Sequence, residues 1–138
     1  MRVFIDTSAV YAIYNREDYK HLIANDLWNR LLDESVTLAT NSYVVLETIA
    51  LLQRRLGVAA VRSFHENVMP LLQVEWVDED LHRSAAEALL VAHRKKLSLV
   101  DCVSFQTMRR VGLRQVFCFD AHFAEQGFET LPATEMAS

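Results

Sequence analysis

Val3-Phe4-Ile5-Asp6-Thr7-Ser8 is the stretch on which the fold turns. Three consecutive apolar residues stop at a group that favours helix starts, which reads as a strand buried on both faces running directly into a helix. The same step recurs downstream. Ile23, Leu27 and Leu31, with Ala24, Trp28 and Leu32 beside them, mark a helix over Asp18 to Asp33, and Val36 to Ala39 reads as a strand. Asn41 or Ser42 can cap the next helix, striped by Val45, Ile49, Leu52 and Leu56 and stopped by Gly57. Val58 to Val68 continues as helix until Pro70, and Val74-Glu75-Trp76-Val77 gives a third strand. Leu81, Ala85, Ala88 and Ala92 mark a long helix ending in Arg94-Lys95-Lys96, and Leu99 to Val111 another, closed by Gly112. Val116 to Phe119 is a fourth strand and Phe128 to Leu131 a fifth. Strands that are apolar throughout, alternating with helices, imply the α/β class with a mostly parallel sheet of four to five strands covered on both faces.

At 138 residues the chain fits one domain, read as residues 1–132 with a loose C-terminal tail at 133–138. Hydrophobic residues at 51% and only three Gly and two Pro argue against disorder or long linkers. The net charge of −4 repels nucleic acid unless basic residues gather on one face. Cys102 and Cys118 lack Cys-x-x-Cys spacing, so neither a disulfide framework nor a zinc knuckle is expected. No apolar run approaches the roughly 20 residues needed to span a bilayer, and Asp6 arrives before a signal-peptide core could form. A soluble, unprocessed cytoplasmic protein is the expectation.

In an open parallel sheet, ligands bind beyond the carboxyl ends of the strands, where the winding direction reverses. Asp6 follows the first strand and Asp120 the fourth, while Glu47 and Asp101 fall early in helices that approach the same edge. Four carboxylates on one rim raise one another's proton affinity and need a cation, and hard divalent ions prefer oxygen ligands. Each acid also has a plainer reading. Asp6 can cap the first helix, Ser98-Leu99-Val100-Asp101 has capping-box spacing, Asp120 can start a turn, and Glu47 can lie on a solvated face shared with Arg54. Capping and metal binding are compatible.

Ile5-Asp6-Thr7-Ser8, Leu46-Glu47-Thr48, Leu97-Ser98-Leu99-Val100-Asp101 and Phe119-Asp120-Ala121-His122-Phe123 together resemble, in order and spacing, the motifs of the PIN-domain nucleases. The likeness extends to the VapC-type toxins of toxin–antitoxin pairs and covers nearly the whole chain. It implies a PIN-like three-layer α/β/α domain that is a Mg²⁺- or Mn²⁺-dependent endoribonuclease, often a homodimer and held inactive by a cognate antitoxin. By resemblance Asp6, Glu47 and Asp101 are the principal acids and Asp120 the fourth. Thr7, Ser8 and Ser98 match hydroxyl-bearing positions beside them. Two positions depart from the pattern: Cys118 stands where Thr or Ser is frequent, which weakens the expectation for Asp120, and Cys102 stands where a small Ala is common.

Other features divide between function and structure. Arg54-Arg55, Arg94-Lys95-Lys96, Arg109-Arg110 and Arg114 can neutralise RNA phosphates, yet most sit at helix ends where cations complement the helix dipole. His122 can touch a phosphate or orient a water, although a single His in a turn is commonly incidental. Trp28, Trp76 and the Phe residues are expected in the core. Two rival functions compete with this reading. An Asp-based phosphatase would need a second Asp where Ser8 stands, and a phosphotransfer domain a Lys just after the fourth strand. A catalytically silent module binding RNA or a protein would lack a principal acid, and none is missing.

Overall fold

The computed structural model describes residues 1–133, so the tail expected at 133–138 lies outside the described residues except for Ala133. Strand β1 (Arg2–Ile5) leads into helix α1 (Thr7–Tyr14), followed by α2 (His21–Asp33), β2 (Thr37–Asn41), α3 (Ser42–Leu56) and α4 (Val58–Ser63). After β3 (Leu72–Glu75) come α5 (Glu79–Ala92), α6 (Leu99–Val111), β4 (Gln115–Phe117), the short α7 (His122–Glu125) and β5 (Glu129–Leu131). All strand pairings are parallel and the sheet order is β3-β2-β1-β4-β5. The five-stranded α/β architecture is the one expected from the sequence.

Alternate strand residues feed two cores. Val3, Ile5, Leu38 and Phe117 pack with α1 and α2 on one face, and Phe4, Ala39 and Val116 with α5, α6 and α7 on the other. Helix α3 serves both, through Val45 and Leu52 on one side and Val44 on the other. Residues Val3, Phe4 and Ile5 are at most 1% exposed because β1 is the central strand, which explains its unbroken apolar run. Edge strand β3 alternates half-buried and exposed residues for the complementary reason.

Several boundaries move from their sequence-based positions. Strand β3 ends at Glu75, not Val77, because the Val77 N–H leaves the ladder and donates to Ser42 Oγ at 2.9 Å. Trp76 consequently falls beyond the sheet and is 74% exposed, against the expectation of a core residue. The stretch Val58 to Val68 is not one helix: α4 stops at Ser63 and passes through a π-helical turn (Phe64–Val68) into a 3₁₀ turn at Met69–Leu71 that holds Pro70. The π turn brings both Phe64 and Val68 into the core. Helix α2 begins at His21 instead of Asp18, since Asp18 uses its carboxylate to fold the preceding turn onto the Lys20 N–H. Ala88 and Ala92 of the α5 stripe are exposed, while Leu81 and Ala85 are buried.

Candidate metal centre

The sheet reverses its winding between β1 and β4, and both strands end there beside each other. Asp6 continues the ladder by one bond, its N–H donating to the Phe117 carbonyl at 3.1 Å, so its side chain is delivered to the crevice between the two strand ends. Asp6 is also the N-cap of α1, accepting the Ser8 N–H on Oδ2 at 3.1 Å. The Ser8 hydroxyl donates to the same oxygen at 2.6 Å and accepts the Phe119 N–H at 2.9 Å. That one hydroxyl fixes the first acid and takes up the backbone donor freed where β4 ends. Among the described residues, Asp6 Oδ1 accepts no hydrogen bond and remains open to a ligand.

Asp101 arrives from the first turn of α6 within a complete capping box. Its N–H donates to Ser98 Oγ at 3.0 Å, and the Ser98 N–H donates back to Asp101 Oδ2 at 3.2 Å. Asp120 lies three residues past β4 in an Asx turn, Oδ1 accepting the His122 N–H at 2.9 Å. The plainer readings of Asp6, Asp101 and Asp120 are thus all correct, and Asp101 and Asp120 still come within ligand reach of each other, with their charges felt at Asp6. Local hydrogen bonds are how the chain aims them.

His122, open in the sequence to both an incidental and a phosphate- or water-directed reading, stands inside this group. Its Nδ1 is 2.9 Å from Asp120 Oδ1 and 3.4 Å from Asp101 Oδ2. Asp101, Asp120 and His122 each present one ligand atom, all within 4.8 Å of one another. The Asp-x-His spacing at 120 and 122 was the available signal, but spacing alone could not show that Asp101 would face it. Cys118 lies behind the acids, its thiol directed at the Asp120 carbonyl with Sγ···O 3.6 Å, so sulfur supplies a weak donor where a hydroxyl was expected. Burial first, and then the charge of Asp6, push that thiol far above its ordinary range, which keeps it unreactive.

Electrostatics agree with the geometry. Burial raises Asp6 to about 7 against the pull of its Ser8 hydrogen bonds, and the charges of Asp101 and Asp120 add to the rise. Burial and the charge of Asp120 raise Asp101 to about 6. A divalent cation is the group that relieves this repulsion, and the donors are of the right kind: carboxylate oxygens and an imidazole nitrogen left buried without a hydrogen-bond partner. The residues therefore fit the ion that the motifs implied.

The remaining sequence-derived residues are placed differently. Glu47 is half-buried on α3, one residue before Thr48, and is not among the acids whose charge is felt at Asp6. Thr7 is buried and turned away from the acids, its hydroxyl meeting Thr48 Oγ1 at 3.1 Å and thereby locking α1 to α3. Asn41 is more than the cap its sequence position suggests: Oδ1 takes the Val44 N–H at 2.8 Å while Nδ2 donates to Ser104 and Thr107 of α6, both at 3.2 Å. Lys20 was also missed. Its ammonium lies 5.3 Å from the ring centres of both Tyr19 and Phe119, next to Asp120 in the chain. Arg94 and Arg110 are tied to Glu125 and Asp78, and Arg109 to Gln126, as helix-end cations holding neighbouring elements.

A parallel sheet with acids at the ends of β1 and β4 and in the first turn of α6 is the arrangement expected of a PIN domain, and the sequence profile of that domain matches residues 3–129. The chain belongs to the PIN-domain family. It is similar to the 23S rRNA-specific endonuclease VapC20 of Mycobacterium tuberculosis, recorded in strains H37Rv and CDC 1551, with 35% identity over 127 residues, 91% of this chain and 95% of the relative. The crystal structure of M. tuberculosis VapC20, described as a sarcin-ricin loop cleaving toxin, superposes with a TM-score of 0.79 at 32% identity, covering 91% of this chain and 95% of that one. FitAcB from Neisseria gonorrhoeae shares the fold, with a TM-score of 0.67 at 14% identity over 94% of this chain and 96% of that one. Among the described residues no helix is long and apolar enough to cross a membrane.

Proposed function

We propose that this chain is a divalent-metal-dependent endoribonuclease, the toxin of a toxin–antitoxin pair. The observation that supports the reading is the cluster of Asp101, Asp120 and His122 beside the reversal point of the sheet, with Asp6 near enough that the charges of both acids join burial in raising it toward neutrality. Asp6, Asp101 and Asp120 would hold Mg²⁺ or Mn²⁺, and the family motif adds Glu47 as a further acid. The ion, when bound, supplies Lewis-acid polarisation of a phosphoryl oxygen and a water of lowered pKa for in-line attack.

The chain's own groups provide the frame. Ser8 and Ser98 hold the Asp6 and Asp101 carboxylates in single orientations, so the donors are arranged before substrate arrives. Lys20, whose ammonium lies over the Phe119 ring, is the cation offered for contact with a phosphate of the bound strand. RNA as substrate is supported by the 35% identity to a relative named for cleaving 23S rRNA, which makes that RNA the first substrate to test. The relative's description as a toxin supports control by an antitoxin protein, and homodimerisation is part of the same proposal.

The test is purified protein with end-labelled single-stranded RNA and with 23S rRNA. Cutting that requires Mg²⁺ or Mn²⁺, stops with chelator and leaves 5′-phosphate ends is the expected result. Asp6→Asn and Asp101→Asn should each lose about a hundredfold or more, roughly 3 kcal/mol of barrier. Metal-independent cutting, or full activity in Asp6→Asn, would overturn the proposal. A silent RNA-binding module would instead bind both substrates without cleaving either.

A further inference from the structure

We infer that His122 is itself a ligand of this metal through Nδ1, making the centre a mixed oxygen–nitrogen site instead of an all-carboxylate one; the inference rests on the metal-dependent reading above. The starting point is an atom without a partner. Nδ1 of His122 is buried and lacks a hydrogen bond, although Asp120 Oδ1 is 2.9 Å away and Asp101 Oδ2 3.4 Å away. A protonated imidazole making a simple ion pair would point its N–H along one of those lines. Here the ring nitrogen and one oxygen of each carboxylate lie within 4.8 Å of one another, close enough to share one ion at a point between them.

The spacing suits an ion at that point. An octahedral cation with bonds of about 2.0–2.2 Å separates neighbouring donor atoms by roughly 3 Å, the size of the two N···O separations. The oxygens involved each spend one lone pair locally, Asp120 Oδ1 on the His122 N–H and Asp101 Oδ2 on the Ser98 N–H, which leaves the other free. The ring is also held in place. The Asx turn fixes the His122 backbone, Phe123 is fully buried next to it, and the His122 side chain is only 17% exposed. A nitrogen donor changes the selectivity of the site: Mg²⁺ favours oxygen and accepts imidazole less readily than Mn²⁺ does, so of these two ions His122 biases the centre toward Mn²⁺.

The experiment uses the full chain, stripped of metal, with Mn²⁺ alone and Mg²⁺ alone as probes. Calorimetric titration should show Mn²⁺ binding weakened about tenfold or more in His122→Ala, with Mg²⁺ binding changed far less. Pulsed electron paramagnetic resonance of the wild-type Mn²⁺ complex should show coupling to a nitrogen that switches isotope when histidine is supplied as the ¹⁵N form. That measurement needs no variant and decides the matter even if His122→Ala fails to fold. Absence of histidine nitrogen coupling, or wild-type Mn²⁺ affinity in folded His122→Ala, overturns the ligand assignment. RNA cutting followed in parallel separates the two proposals. Metal-dependent cutting without nitrogen coupling removes only the role of His122, and nitrogen coupling without cutting keeps the mixed site while removing the nuclease.

Discussion

The Asp6 carboxylate caps α1 with one oxygen and leaves the other open, while burial holds its proton affinity near neutrality. Asp6→Asn removes a charge whose burial is unfavourable without metal, so the metal-free variant should be more thermostable than wild type at pH 8 even as cleavage is lost. Differential scanning calorimetry of both metal-free proteins checks this. Ser8 is the reverse case. Removing its hydroxyl strips a donor from Asp6 and strands the Phe119 N–H, so Ser8→Ala should cost about 1–3 kcal/mol in chemical denaturation and lower activity together. Thr7 carries a matching motif hydroxyl but faces Thr48, so Thr7→Ser should leave cleavage near wild type. The sequence could identify Thr7 and Ser8 as a hydroxyl pair, but adjacent residues at a helix start point in different directions, and only packing showed which one serves the acid.

At the scale of elements, helix α6 carries the site through its cap. Ser98→Ala opens the capping box and should destabilise the chain by about 1 kcal/mol. Because the backbone N–H of residue 98 that anchors the Asp101 carboxylate survives in this variant, activity should fall no further than this loss explains, which is read by comparing denaturation midpoints with cleavage rates under folded conditions. The box was legible in Ser98-x-x-Asp101, as was the Gly112 stop, whose left-handed backbone (φ 74°) favours glycine. What the pattern did not contain was the tie from Asn41 across to Ser104 and Thr107, because the partners lie more than sixty positions away. The misplaced end of β3 has a similar origin: an apolar run continues through Trp76 and Val77, yet the Ser42 hydroxyl takes the Val77 N–H and ends the ladder.

For the whole molecule, the raised acids set a pH dependence. A carboxyl with a higher pKa in the folded chain binds protons more tightly there, so stability falls as pH rises from the ordinary value of 3.8 through about 7 for Asp6 and about 6 for Asp101. Metal-free protein should therefore melt lower at pH 8 than at pH 5.5, by an amount on the order of a few kcal/mol at most. Mn²⁺ should raise the melting temperature much more at pH 8 than at pH 5.5, where protons compete for the same oxygens. Equal metal stabilisation at both values would contradict the site. A chain of net charge −4 also needs local cations to hold RNA. Lys20→Gln should weaken RNA binding and reduce the slope of log affinity against log salt by about one unit.

Alternation of apolar strands with striped helices was sufficient by itself for the α/β class, the parallel sheet and the acids at its strand ends, because hydrophobic periodicity and capping are local properties of a chain. The order β3-β2-β1-β4-β5, the turning of Thr7 away from the site and the seating of His122 against Asp101 and Asp120 required tertiary structure. These depend on contacts between residues distant in the chain, where direction and depth of burial, rather than residue type, decide which side chains meet.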